Sequence, residues 1–309
     1  MLSIAPRLSY AGSAGTSSMT FLKIPQGSRP AGMGEVFSAI SDDPMAVYWN
    51  PAGLSFIRVP ELSAQFYSYV EDTTVQNIVY SMPLPIEQRI SIGAGLMLLQ
   101  SNDFKKTVVS DNTYGFEETG SFDSQDLSLN LGSGVYFTPQ ASIGINLKFI
   151  QETIDTKKAT AVAGDIGLIL QSVDRPYRLG LLAQHIGTQA AFNKESWALP
   201  RTYRFSIARK ILSSGWIGFE AVKSADYDLE FKAGAEIPVG SFFAGRLGYK
   251  HPLNKAELGD YTGMTAGLGF IFPYYELDYA IASFGDFGYT HRISMNFTFG
   301  LDGESREIY

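Results

Sequence analysis

The stretch YTHRISMNFTF, residues 289–299, decides the fold. Tyr289, Ile293, Met295, Phe297 and Phe299 share one parity, while Thr290, Arg292, Ser294, Asn296 and Thr298 share the other. A strand sends successive side chains to opposite sides, so this segment has one apolar and one polar face. The same division recurs upstream. Ile143, Leu147 and Phe149 oppose Ser142, Asn146 and Lys148, Tyr203, Phe205 and Ile207 oppose Thr202, Arg204 and Ser206, and Leu277, Tyr279 and Ile281 oppose Glu276 and Asp278. A soluble sandwich alternates in this way too, so parity alone does not name the environment.

Working outward, period-two segments bounded by Gly, Pro, Asn and Asp number fourteen: 61–70, 75–82, 90–100, 126–137, 141–154, 159–173, 177–187, 201–211, 215–223, 227–237, 241–250, 261–272, 275–283 and 289–299. Their connections fall into two sets. Those at 138–140, 174–176, 212–214, 238–240 and 273–274 are tight, with 83–89 somewhat longer, and the opposite set contains the long stretches 101–125, 188–200 and 251–260. Short turns on one side and long loops on the other, with an even strand count, predict an all-β chain: one transmembrane antiparallel barrel. Tyr136, Phe137, Tyr177, Tyr203, Trp216, Phe242, Phe243, Phe272, Tyr274 and Tyr275 are expected as an aromatic girdle at the turn end.

Composition agrees. The mean hydropathy is near zero, as expected when lipid-facing and lumen-facing residues alternate, and no run approaches the roughly 20 apolar residues of a spanning helix. A net charge of −7 without a basic cluster argues against a nucleic-acid partner. The absence of cysteine removes thiol chemistry, disulfides and thiolate metal sites. His185, His251 and His291 lie far apart without metal-ligand spacing. No catalytic residue, metal or cofactor is expected.

One segment does not alternate. Residues 27–54 read GSRPAGMGEVFSAISDDPMAVYWNPAGL, punctuated by Gly and Pro and placed ahead of the strands. This divides the chain into a leader over 1–19, a plug over 20–59, the barrel over 60–299 and a periplasmic tail over 300–309. The leader is either a remnant of a signal or a disordered arm.

Gly32-Met-Gly34, then Phe37 to Pro44, then Ala46-Val-Tyr-Trp-Asn-Pro-Ala-Gly-Leu54 resemble the N-terminal signature of the PorV/PorQ family, part of the wider FadL-like group of barrels. The resemblance implies a 14-stranded outer-membrane barrel whose N-terminal segment folds into the lumen as a hatch. It also implies association with the type IX secretion system. The hatch residues are Gly32, Gly34, Asp42, Asp43, Pro44, Trp49, Asn50, Pro51, Ala52 and Gly53. Glycines allow close approach, Asp and Asn cap turns, prolines fix direction, and Tyr48 and Trp49 wedge against the wall. Short helices are expected over 35–40 and from about Pro44.

Parity also points Lys148, Arg178, Arg204, Glu230, Lys232, Arg246, Glu276, Asp278 and Arg292 into the lumen, together with Glu236, where they need partners. Bracing of the hatch is the structural expectation, and a ligand or ion pathway the functional one. Two functions follow. The main reading is a non-enzymatic secretion component, binding cargo or partner proteins through loops 101–125 and 188–200. The alternative is a FadL-like transporter of hydrophobic small molecules. In both, outer-membrane lipid surrounds the barrel.

Overall fold

The computed structural model describes every residue except 1–14, 71–72, 86–89, 112, 173, 193–194, 213, 253–260 and 301–309. Most of the anticipated leader, nearly all of the tail and most of loop 251–260 therefore lie outside the described residues.

The strands, in chain order, are β1 (Glu61–Ser68), β2 (Thr74–Pro83), β3 (Ile90–Val109), β4 (Phe116–Thr138), β5 (Ala141–Ile154), β6 (Lys157–Gln171), β7 (Tyr177–Gly187), β8 (Ala190–Phe192), β9 (Glu195–Trp197), β10 (Thr202–Ile211), β11 (Gly215–Ser224), β12 (Glu230–Val239), β13 (Phe243–Pro252), β14 (Met264–Ile271), β15 (Tyr275–Ser283) and β16 (Tyr289–Thr298). β8 and β9 form a small separate hairpin, and the other fourteen close into one antiparallel barrel. The closure is β1 on β16, from Glu61 opposite Thr298 to Ser68 opposite His291, which leaves no unpaired sheet edge.

The direction of the alternation separates this barrel from a soluble one. Apolar residues face out: Leu247 is 65% exposed, Ile145 62% and Leu131 55%. Charged residues face in: Asp278, Glu220 and Arg292 are at most 1% exposed. An interior of ion pairs beneath an apolar exterior is the inverse of a water-soluble core and is the arrangement of barrels that face lipid. Aromatic residues mark both rims. Phe137, Phe242, Phe243, Tyr274 and Tyr275 are exposed at the turn end, and Phe66, Tyr249 and Tyr289 at the loop end.

Five expectations are corrected. Tyr203 belongs to the loop-end rim, because β10 begins there, and Trp216 turns inward, where Arg178 stacks on it at 4.7 Å. Residues 101–125 are not an irregular loop: β3 and β4 continue as a paired hairpin through Val109 opposite Phe116. Both faces of that extension are exposed, so the alternation that marks a strand inside the wall has no reason to persist. Residues 188–200 likewise contain the β8–β9 hairpin. Finally, residues 35–40 are turns rather than a helix, since Gly34 at φ +63° and Glu35 at φ +66° break the helical path.

The N-terminal segment instead forms α1 (Ser28–Gly32), α2 (Ala46–Trp49) and 3₁₀ turns at Thr20–Lys23 and Pro51–Phe56. It is almost wholly buried from 26 to 57. Its contacts reach inward-facing positions of strands all around the wall, including Gln65 on β1, Gly144 on β5, Glu220 on β11 and Thr265 on β14.

Candidate functional site

The lumen and the segment folded into it form the site. Two close approaches set the position of the segment. A Cβ on Gly234 or Gly248 would collide with the backbone of Met33 and Gly34, and one on Gly144 or Gly167 would collide with Asn50 and Pro51. The glycines of the wall are therefore the complement of the Gly-Met-Gly and Asn-Pro-Ala-Gly elements. Gly34 adds its own requirement, a left-handed backbone whose N–H donates to Thr265 Oγ1 at 2.9 Å.

Several polar side chains of the segment are satisfied within it. Asn50 Oδ1 accepts the Ala52 N–H at 3.1 Å while its Nδ2 donates to the Ser38 carbonyl at 2.8 Å. Asp43 Oδ1 accepts the Met45 N–H at 2.8 Å. Trp49 donates from Nε1 to the Gln26 carbonyl at 2.7 Å and packs edge-on to Phe37. Pro44, Pro51, Ala52 and Gly53 are buried with them.

Ion pairs then join segment to wall. Arg29 reaches Glu236 through Nε at 2.9 Å and Asp42 through Nη1 at 2.7 Å, with Asp43 at 3.2 Å. Arg246 holds the same Glu236 at 2.6 Å and also Glu276 and Asp278. Burial raises the Asp43 carboxyl to about 6 against the pull of Arg29, and neighbouring Asp42 adds to the rise. Glu35 is clasped by Lys232 at 2.6 Å and Lys250 at 2.7 Å. Burial alone would raise its carboxyl, but the two ammonium groups outweigh it and hold it well below the usual carboxylate range.

The remaining sequence-selected charges are placed as follows. Arg204 pairs with Glu220 at 2.8 Å, and Glu220 in turn accepts the backbone N–H groups of Phe37 and Ser38. Arg178 donates to the Ile40 carbonyl at 3.1 Å, and Arg292 to that of Pro25 at 2.8 Å. Lys148 pairs with Asp165 on β6 at 2.8 Å, and Glu230 lies 3.5 Å from Lys232. The structure does not bring the three histidines together: His185, His251 and His291 sit on β7, β13 and β16.

Sequence reading missed Arg29, Glu35, Glu220 and Lys250. Arg29 and Glu35 stand with Asp42 and Asp43 as the charges of the 27–54 segment, and Glu220 and Lys250 carry the inward parity of β11 and β13.

Two apolar clusters fill the lumen. The lower one gathers Met33, Phe37, Ile40, Val47, Trp49 and Leu54. The upper one, at the loop end, packs Met19 and Phe21 on Tyr67, Val75, Met97, Leu99 and Ile150. A cavity of about 30 Å³ lies between segment and wall, lined by Leu22, Tyr48, Trp49 and Met97 with Lys148, His185 and Arg204.

No family model matches the chain, and no curated protein sequence matches it. Its fold is nevertheless shared with solved structures. The CymD monoaromatic hydrocarbon channel matches with a TM-score of 0.61 at 12% identity, covering 88% of this chain and 97% of that one. A FadL homologue of Pseudomonas aeruginosa matches at 0.62 and 12% identity, covering 90% and 99%. The Pseudomonas putida toluene transporter TodX matches at 0.60 and 13%, covering 88% and 96%. At such identities the likeness establishes the fold alone, a closed 14-stranded barrel shared with these structures.

The expected role as a secretion component is corrected by these matches. The structures of like fold are hydrocarbon channels and a FadL homologue, which favour the transporter reading, and they lend no support to the PorV/PorQ assignment or to type IX secretion partners.

Proposed function

We propose that the chain is an outer-membrane barrel that carries small hydrophobic molecules, with residues 60–299 spanning the bilayer and residues 20–59 acting as a hatch. The observation that carries this reading is the apolar cluster packed at the loop end of the lumen. An aqueous pore is lined by polar groups, whereas here Tyr67, Val75, Met97, Leu99 and Ile150 are buried together beneath Met19 and Phe21. Such a lining favours an apolar solute through its removal from water, about 25 cal/mol per Å² of apolar surface. The ion pairs of Arg29, Glu35 and Arg246 brace the hatch and leave hydrated ions no wide passage. The chemistry is binding and passage, not catalysis, and the surrounding partner is lipid.

The test is uptake of radiolabelled toluene and of a long-chain fatty acid by proteoliposomes, with sucrose as the hydrophilic control. Saturable entry of one hydrophobe without sucrose flux is expected. Equal entry into vesicles with and without the barrel would sink the reading.

A further inference from the structure

Asp126 on β4 and Glu152 on β5 are directly opposed in the sheet and both face the lumen. Directly opposed side chains in an antiparallel pair have Cβ atoms about 5 Å apart. Asp126 is 7% exposed, yet its Oδ1 has no hydrogen-bond partner, and neither has the buried Oε2 of Glu152.

Among the described residues the surroundings offer no counter-charge. Opposite Asp126 on β3 stands Leu99, and opposite Glu152 on β6 stands Ala159. Ser128 on β4, Ile150 on β5 and Ser101 on β3 are the adjoining inward positions, all uncharged. Lys148, two inward positions along β5, is committed to Asp165 at 2.8 Å, and Lys157 and Lys158 on β6 are exposed. Among the described residues no Lys, Arg or His forms an ion pair with either carboxylate. Of the described N-terminal residues, Met19 is buried with Leu99, Ile150 and Ala159 beside the pair, and its backbone N–H lies against Glu152. Met19 itself is held in the left-handed region at φ +52°, a strained conformation for a side chain of its size.

We propose that Asp126 and Glu152 share one proton, and that the protonated pair is a latch holding the N-terminal strap across the upper lumen through Met19. Two like charges at this separation in a poorly hydrated site do not coexist. A proton between Oδ1 and Oε2 satisfies both orphan atoms at once. Its loss sets the carboxylates against each other. Glu152, the less buried partner, then swings toward solvent, gives up Met19 and lets the strained residue relax. The proposal concerns what holds the strap and stands whatever solute the barrel carries.

The chain has no cysteine, so Thr20→Cys at an exposed strap position accepts a single nitroxide label in the full-length protein. Electron paramagnetic resonance across neutral to alkaline pH should show the label passing from immobile to mobile in one titration. Asp126→Asn, whose carboxamide donates permanently to Glu152, should abolish the pH dependence with the strap held. Glu152→Ala should free it at every pH. Infrared spectra should contain a protonated-carboxyl stretch that Asp126→Asn removes, and heat-modifiable gel migration checks that each variant is folded. A wild-type label indifferent to pH, an unchanged titration in Asp126→Asn, or an infrared spectrum without that band each overturns the proposal.

Discussion

At the scale of the residue, the lumen is an inventory of groups that cannot be removed one at a time. Asn50 caps Ala52 and donates to Ser38, so Asn50→Ala leaves two buried backbone groups unpaired at a cost of about 1–3 kcal/mol each. Gly144→Val should cost as much or more, because its side chain has to enter the backbone of Pro51 and Ala52. Both variants should lower the temperature at which the detergent-folded band converts to the unfolded one on gels. No shift in either would mean that the segment is not seated as described. Glu35→Gln strands Lys232 and Lys250, and breaking such a buried pair costs about 3–5 kcal/mol. The pH dependence has a definite sign. A carboxyl held below its ordinary value of 4.5 contributes stability that is complete above that pH and is lost as pH falls below it. Acidification below about pH 4.5 should therefore destabilise the wild type more than Glu35→Gln, and equal acid sensitivity by thermal melting would remove Glu35 from the account.

At the scale of the element, the barrel was legible and its contents were not. β5, β7 and β15 match the sequence reading at both ends, since within the wall every second residue meets lipid and every other one the lumen. The protruding halves of β3 and β4 escaped because water bathes both of their faces and no periodicity survives. The 20–59 segment escaped for another reason. Its helices are one turn or so long, too short for a 3.6-residue pattern, and are positioned by wall residues up to more than two hundred positions away, as Gly34 is by Thr265. Its signature residues were visible, but their partners were not. Beyond the wall the two strands of the hairpin pair with each other, with Phe104 stacked on Phe122, and Lys106 makes an exposed ion pair with Asp155 at 3.0 Å. Replacing residues 104–121 with a short Gly-rich turn should therefore leave barrel assembly and its melting temperature within a few degrees of wild type. Failure of the shortened chain to form a heat-modifiable band would show that the hairpin helps build the barrel.

At the scale of the molecule, the protein is turned inside out relative to a soluble fold: ion pairs and a folded segment within, an apolar belt without. That inversion supports a bilayer setting, and the apolar cluster at the loop end of the lumen supports a hydrophobic cargo. The resemblance of residues 28–54 to a secretion-linked signature finds no support in the structures of like fold, and in this chain those residues pack against glycines of the wall. The most direct measurement is solute entry into proteoliposomes containing the full-length barrel. Saturable entry of radiolabelled toluene or fatty acid above protein-free vesicles, with sucrose excluded, is expected. Free passage of sucrose, or hydrophobe entry no faster than through lipid alone, would contradict it.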